Sequence, residues 1–254
     1  MLLKYEEIDI HIYTYDAMNT YFILTKTKQT PVDDRYDEQI LNLGAKNVFL
    51  FPSVNVNYYM DNGLFEKNLI EWCKEFCTPS GVFLDIGGHT GTYAINLATH
   101  VNSVHVFEPQ RATYYALCGG IALSGLSAKI LAHNCGLGSP DQVGEQTLNI
   151  VSVDGGGSSI QNVGMTVLDT EQITVCTLDD FGITNVCFIK MDVEGNELDV
   201  LKGARKTIER SGYPRIMFEY NAENQDLLAY LEVELGYVVV PIRGYANMYL
   251  ACRA

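Results

Sequence analysis

From Gly81 onward, short apolar runs alternate with longer stretches whose apolar residues recur at helical spacing. That order predicts a largely parallel sheet covered by helices. GVFLDIGG predicts a strand entering a glycine turn, TYAINLATHV a helix and SVHVFEP a second strand. QRATYYALCGGIALSG follows as a helix interrupted by glycine, and AKILAHNCGLG as a third strand. Further on come CTLDDFG, the strand VCFIKMDVEG, the helix NELDVLKGARKTIERSG, the strand PRIMFEY, the helix NQDLLAYLEVELG and closing strands in YVVVPI and NMYLACRA. Residues 139–175 lack helical periodicity and contain Asp154-Gly155-Gly156-Gly157-Ser158-Ser159. A glycine triplet is entropically costly inside a regular element, so this stretch reads as a loop or hairpin inserted over one edge of the sheet.

Residues 1–75 carry a different pattern. IDIHIYTYDAMNTYFILTK alternates and is rich in Ile, Tyr and Thr, which suits strands joined near residues 16–19, and KNVFLFPS adds another short apolar run. Between them, VDDRYDEQILNLGA predicts a short helix stopped by Gly44. NGLFEKNLIEWCKEFC then places Leu64, Phe65, Leu69, Ile70, Trp72, Cys73 and Phe76 on one helical face, with Thr78-Pro79-Ser80-Gly81 ending it. The expected division is an N-terminal strand and helix extension over 1–75 and the α/β domain over 76–254.

Composition narrows the function classes. With 254 residues, 47% hydrophobic and 19% charged, the chain can bury a core without disulfides or metal staples. Seventeen basic against 31 acidic residues give a net charge of −14, which disfavours nucleic acid and anionic membrane surfaces as partners. Seven cysteines occur without a C-x-x-C pair or zinc spacing, as expected of reduced thiols in a cytoplasmic compartment. Cys73 and Cys77 are spaced for joint metal ligation on a helix, but no second ligand pair follows, so packing is the expected role. MLLKYEEIDI lacks the apolar run of a signal peptide, and no stretch approaches the ~18 apolar residues of a membrane span, so a soluble protein is expected.

Candidate chemistry collects at the ends of the strands. Phe83 to Gly91 reads D-x-G-G-x-x-G, with Gly87, Gly88 and Gly91 able to admit a cofactor close to the backbone before a helix N-terminus. The absence of G-x-G-x-x-G argues against a nicotinamide-dependent enzyme. Asp85 would repel a pyrophosphate but can receive an ammonium, directly or through water. Glu108, 23 residues further on and followed by Pro109, is placed to accept both hydroxyls of a ribose. Asn134, after the third strand, can meet an adenine edge or cap a turn. Asp192, Glu194 and Glu219 belong at the same rim, where acids must share a proton, bind a cation or pair with a base such as Lys190. Glu194 and Glu197 can also simply favour the N-terminus of the helix that follows.

FLDIGGHTGTYAINLA, VHVFEP, TLDDF, FIKMDVEGNELDVLKGA and PRIMFEY, in this order, resemble the FkbM family of S-adenosylmethionine-dependent methyltransferases. The resemblance covers residues 81–220, and IKMDVEGNELDVLKGA is its specific part. It implies a Rossmann-like class I methyltransferase with a mostly parallel seven-stranded sheet, one strand antiparallel and helices on both faces. It implies S-adenosylmethionine bound by Asp85, Gly87, Gly88, His89, Gly91, Glu108, Pro109, Asn134 and Asp192. The family usually has Ala-Asn where this chain has Gly88-His89, so His89 is open to a contact with methionine, with substrate or with neither. Family members chiefly methylate hydroxyl oxygens, so the expected acceptor is a sugar, a glycan or another small polyhydroxylated molecule. Asp192 is the first candidate base and Glu219 the second, with Glu194 nearby and Lys190 acting in neutral form. Mg²⁺ held by Asp192, Glu219 and Asn221 is a metal-assisted variant. Sugar binding favours aromatic platforms, but Tyr58, Tyr59, Tyr93, Tyr114 and Tyr115 cannot be sorted into platform or core from sequence. The alternative is a non-catalytic binding or scaffold protein that retains a methyltransferase shell.

Overall fold

The computed structural model describes residues 9–13, 21–25, 30–31, 41–42, 47–52, 54, 56–161, 164–220 and 225–253. The first part of the chain supplies β1 (Asp9–Tyr13), β2 (Tyr21–Thr25), β3 (Thr30–Pro31), β4 (Leu41–Asn42), β5 (Val48–Pro52), α1 (Val56–Asn62) and α2 (Lys67–Cys73). β6 (Val82–Ile86), α3 (Thr92–Leu97), β7 (Ser103–Phe107), α4 (Arg111–Leu123) and β8 (Ile130–His133) follow. Next come β9 (Gly136–Leu137), β10 (Gly144–Ile150), β11 (Asp169–Cys176) and β12 (Val186–Met191). The chain closes through α5 (Glu197–Gly203), α6 (Arg205–Arg210), β13 (Arg215–Glu219), α7 (Gln225–Ala229), β14 (Val238–Pro241) and β15 (Met248–Cys252).

Seven strands form the main sheet in the order β14-β15-β13-β12-β6-β7-β8. β15 runs antiparallel to both its neighbours, while β13, β12, β6, β7 and β8 pair in parallel. Every residue of β6 is buried, as a central strand covered on both faces requires. The pleat divides its side chains. Phe83, with Phe188 of β12, enters one core cluster, and Leu84 and Ile86, with Ile189 and Met191, enter the other.

The N-terminal part supplies one wall of the first cluster. β1, β2 and β5 form an antiparallel sheet, and Phe49 and Phe51 of β5 pack with Leu69, Ile70, Ile95 and Leu117. The glycine interruption in α4 has its reason here. A Cβ on Gly120 would stand 3.0 Å from the carbonyl oxygen of Val48, so any larger residue would push β5 back by a few tenths of an ångström. Beside that crossing the Val48 N–H donates to Ser124 Oγ at 2.8 Å.

Several elements depart from the sequence pattern. NELDVLKGARKTIERSG breaks at Ala204, with φ −109° and ψ −1°, into α5 and α6. AKILAHNCGLG divides between β8 of the main sheet and β9 of a small sheet ordered β10-β11-β9. The helix read from Asn62 starts at Lys67 instead, because Glu66 stands in the left-handed region at φ 55°. Of the helix expected over 32–45, Leu41–Asn42 pair with Thr30–Pro31 as a short strand, and residues 32–40 and 43–45 lie outside the described residues, as does the turn at 16–19. The insertion is a hairpin, with β10 and β11 in register from Gly144 against Val175 to Ile150 against Asp169. All seven cysteines are free thiols, and Cys73 is buried with its Sγ 3.6 Å from Met217 Sδ. Among the described residues no helix is long and apolar enough to cross a membrane.

The shared core makes a testable statement about the extension. Phe49→Ala should cost about 3–5 kcal/mol, the usual penalty for emptying a buried phenylalanine site. Urea denaturation followed by tryptophan fluorescence and by circular dichroism should show one coincident, weakened transition. A main transition at unchanged midpoint would mean that the extension folds apart from the sheet.

Candidate active site

The site is built where the parallel strands end. After Ile86 the chain turns at Gly87, whose φ is 73° and where a Cβ would fall 1.8 Å from the carbonyl oxygen of Asp192. No side chain can occupy that point, so the end of β6 lies directly against the end of β12. The turn is pinned from both sides: the Asp192 N–H donates to Ile86 O, and the Gly87 and Gly88 N–H groups both donate to Phe107 O, all at 3.0 Å. Asp85 lies behind this turn, 1% exposed, with Oδ2 accepting the Ala94 N–H at 2.9 Å. Burial pushes its carboxyl up to about 6, against the pull of Lys190 and the Ala94 N–H. It holds the start of α3 and does not line the cavity, so it is not placed for direct contact with a ligand ammonium. Gly91, the residue before α3, is likewise outside the lining.

A cavity of about 660 Å³ opens above the strand ends, within the usual range for small-molecule sites. Gly87, Gly88, His89, Glu108 and Pro109 line it together with Lys190, Asp192, Glu194 and Glu219. Glu108 accepts the His89 N–H through Oε2 and the Gln110 N–H through Oε1, both at 2.9 Å. Burial nevertheless raises its pKa to about 7, more than those two N–H groups and Lys190 lower it. Asn134 turns away: its Nδ2 donates to the carbonyl oxygens of Glu108 and Pro109, each at 3.0 Å, which is the turn-capping alternative. Phe107, Leu137, Ile173 and Val175 form the apolar wall of that side.

Lys190 sits at the centre of the opposite side. Its Nζ donates to Gly87 O at 3.0 Å and to Asp192 Oδ2 at 3.3 Å, and lies 5.5 Å from the centroid of the Tyr93 ring. Burial opposes its charge, but Asp192, Asp85 and Glu66 together outweigh burial and raise its pKa. Those acids favour the ammonium form of Lys190 over the neutral form that the sequence offered as an alternative to a carboxylate base. Carboxylate oxygens of Asp192, Glu194 and Glu219 lie within 4.8 Å of one another. Burial, followed by the charges of Asp192, Glu194 and Glu197, pushes Glu219 up to about 7. Glu197 takes the structural alternative: its Oε1 accepts the Val193 and Gly195 N–H groups, closing the turn after β12. Asn221 lies outside the described residues.

Other parts of the lining carried no usable sequence signal. Glu66 and Tyr93 meet at 2.8 Å, with the tyrosine hydroxyl donating to Glu66 Oε2, although 27 residues separate them. Tyr58, Tyr59 and Tyr93 face the cavity, whereas Tyr114 and Tyr115 do not. The insertion reaches the site through residues 154–160. His89 Nε2 donates to the Asp154 carbonyl oxygen at 2.6 Å and Ser159 Oγ to the Glu194 carbonyl oxygen at 2.6 Å. His89 thus clasps the glycine turn to the insertion, and burial lowers its pKa, favouring the neutral imidazole.

A parallel sheet closed by one antiparallel strand, with a glycine turn after its first strand and an acid ending the second, defines a class I methyltransferase fold. A sequence profile of the methyltransferase FkbM domain matches residues 85–239. This chain belongs to that family. It is 30% identical over 148 residues to "Methyltransferase 1" of Beauveria bassiana, a match that takes in 49% of this chain. The chain spans 59% of the length of that relative. Among solved structures, an FkbM methyltransferase from Methylobacillus flagellatus superposes with a TM-score of 0.49 at 22% identity, over 69% of this chain and 44% of the other. A precorrin-6y C5,15-methyltransferase from Geobacter metallireducens gives 0.49 at 10% identity, over 75% and 90% of the two chains.

The buried carboxyls set a pH dependence of stability. Glu108 and Glu219 hold protons in the folded chain up to about pH 7 that the unfolded chain releases near its ordinary value of 4.5. Folding therefore binds protons in this range, and stability is lost as pH rises through 7. Below about pH 6.5 the lowered histidines His89, His105 and His133 act in the opposite sense. The clean window is pH 6.5 to 8, where the melting temperature of the unliganded protein should fall. Replacing both acids, Glu108→Gln with Glu219→Gln, should flatten the slope; an unchanged slope would show that neither carries it.

Proposed function

We propose that this chain is an S-adenosylmethionine-dependent O-methyltransferase acting on a hydroxyl of a sugar, glycan or other small polyhydroxylated metabolite. The observation that carries the reading is one cavity with Glu108 and the glycine turn on one side and the Asp192 and Glu219 carboxyls on the other. The lining suits the cofactor. Glu108 accepts ribose hydroxyls, the walls of Phe107, Leu137 and Ile173 take a purine, and the acidic rim favours the sulfonium and ammonium charges. Gly87, Gly88, His89 and Pro109 complete that side, with Asp85 positioning the turn from behind.

Held by Glu108 and the glycine turn, S-adenosylmethionine would supply an electrophilic methyl group with a neutral thioether as the leaving group. The acceptor's hydroxyl proton would pass to Glu219, whose carboxyl is pushed up to about 7 and which has Asp192 beside it. Lys190 holds Asp192 and the Gly87 carbonyl in place, and Glu194 raises the proton affinity of Glu219. The reading is metal-free, because the Lys190 ammonium, 3.3 Å from Asp192, already offsets charge on this rim. The net charge of −14 supports an acceptor without phosphate, and seven free thiols support a cytoplasmic setting.

Isothermal titration with S-adenosylmethionine is the direct test. Binding should be micromolar, and Glu108→Ala should weaken it about 10- to 100-fold, the loss expected for hydrogen bonds to a charged group. Undiminished affinity would place the ribose elsewhere. In a methyl-transfer assay over sugars and other hydroxyl acceptors, kcat should rise with pH to a plateau above about 7. Glu219→Gln should lower kcat by about 10²- to 10⁴-fold and remove that limb, whereas EDTA should leave turnover unchanged. Full activity in the variant, or loss with EDTA, would overturn the assignment.

A further inference from the structure

The cavity as a whole is chemically lopsided. Among the described residues that line it, the carboxyl groups belong to Glu66, Glu108, Asp154, Asp192, Glu194 and Glu219, and Lys190 is the single lysine, with no arginine. Lys190 is committed to Asp192 at 3.3 Å. Among the described residues, no cation lies within ion-pair distance of Glu66. Its Oε2 is held instead by the neutral hydroxyl of Tyr93.

Glu66 follows Phe65 in the chain and shares the cavity lining with a group of aromatic rings. Tyr58 and Phe65 are 43% and 56% exposed, although both line the cavity. Tyr58 meets Tyr59 edge-on at 5.6 Å and an interplanar angle of 88°, and meets Phe65 at 5.9 Å and 55°. Tyr59 is fixed from behind by stacking on Phe51 at 4.2 Å. Rings set at steep angles around an opening, with a carboxylate beside them, are the arrangement that receives an alkylammonium group: each face offers negative charge density, and the acid supplies the counter-charge.

We propose that the acceptor is a cation: a hydroxylated molecule whose protonated or alkylated amine sits against Tyr58, Tyr59, Phe65 and Glu66 while its hydroxyl points toward Asp192 and Glu219. The inference rests on the methyltransferase reading above and narrows its substrate class to amine-bearing hydroxyl compounds. Phosphorylated and carboxylated acceptors are excluded by the same carboxyls. The two charges are handled by different groups. The amine's charge is held at the mouth by Glu66, and the hydroxyl proton is taken deeper in the cavity by the pair that Lys190 braces.

The test compares two probes that differ only in charge. Choline and 3,3-dimethyl-1-butanol have the same shape, with nitrogen in one replaced by carbon in the other. The full chain is first saturated with S-adenosylhomocysteine, and each probe is titrated calorimetrically at pH 8. Choline should bind at least about tenfold more tightly, in line with a desolvated cation–π contact. Glu66→Gln, which keeps an acceptor for Tyr93, and Phe65→Ala should each erase that preference while leaving S-adenosylhomocysteine affinity within twofold. Equal binding of the two probes, binding of neither, or a preference that survives Glu66→Gln overturns the cationic acceptor while leaving the methyltransferase reading standing. Failure of S-adenosylhomocysteine itself to bind folded protein removes the methyltransferase reading, and this inference with it.

Discussion

Lys190 carries the electrostatics of the whole site. Its ammonium is buried at the meeting of β6 and β12, bonded to the Gly87 carbonyl and to Asp192, and close enough to Asp85 and Glu66 for both to raise its pKa. Taking an ammonium out of water costs several kcal/mol, and the acids around it offset that cost. The dependence is mutual. Lys190 lowers the pKa of Asp85 and Glu108 against the desolvation that raises them, so a rim crowded with carboxyls can fold without every one of them being protonated. It also fixes geometry, since a single group ties the glycine turn to the acid at the end of the neighbouring strand.

The remainder of the site comes from parts of the chain remote from that contact. The N-terminal segment packs Phe49 and Phe51 into the sheet's own core and in doing so carries Tyr59 and Glu66 to the mouth of the cavity. Its close approach is eased by glycine in α4, where a Cβ on Gly120 would stand 3.0 Å from the Val48 carbonyl oxygen of β5. From the other direction the β10–β11 hairpin brings residues 154–160 over the glycine turn, held by the His89 and Ser159 hydrogen bonds. The cavity is thus enclosed by two additions to the sheet, one on each side of the strand ends.

Histidine 89 shows how a local departure from a family pattern acquires meaning only in three dimensions. Three uses for it were open in the sequence, and its ring is spent on a backbone carbonyl 65 residues away. Asp85 is similar. Its position in the motif was plain, but its burial and its bond to Ala94 make it a brace for the turn rather than part of the cavity wall.

The sequence alone determined the sheet, because a strand period of two and a helix period of 3.6 are local properties of the chain. It also located the glycine turn, Glu108 and the three acids, since ligands in such sheets gather at strand ends that the sequence marks by their last residues. It placed the insertion as a loop or hairpin from its glycine triplet. Tertiary structure alone decided which tyrosines face the cavity, that Asn134 caps a turn, that Glu66 lines the cavity and that Lys190 is surrounded by acids that favour its ammonium. Each of those depends on contacts between segments far apart in the chain, and on how much water those contacts leave around a charge. Periodicity carries no record of either, because burial and counter-charge are set by neighbours that only folding supplies.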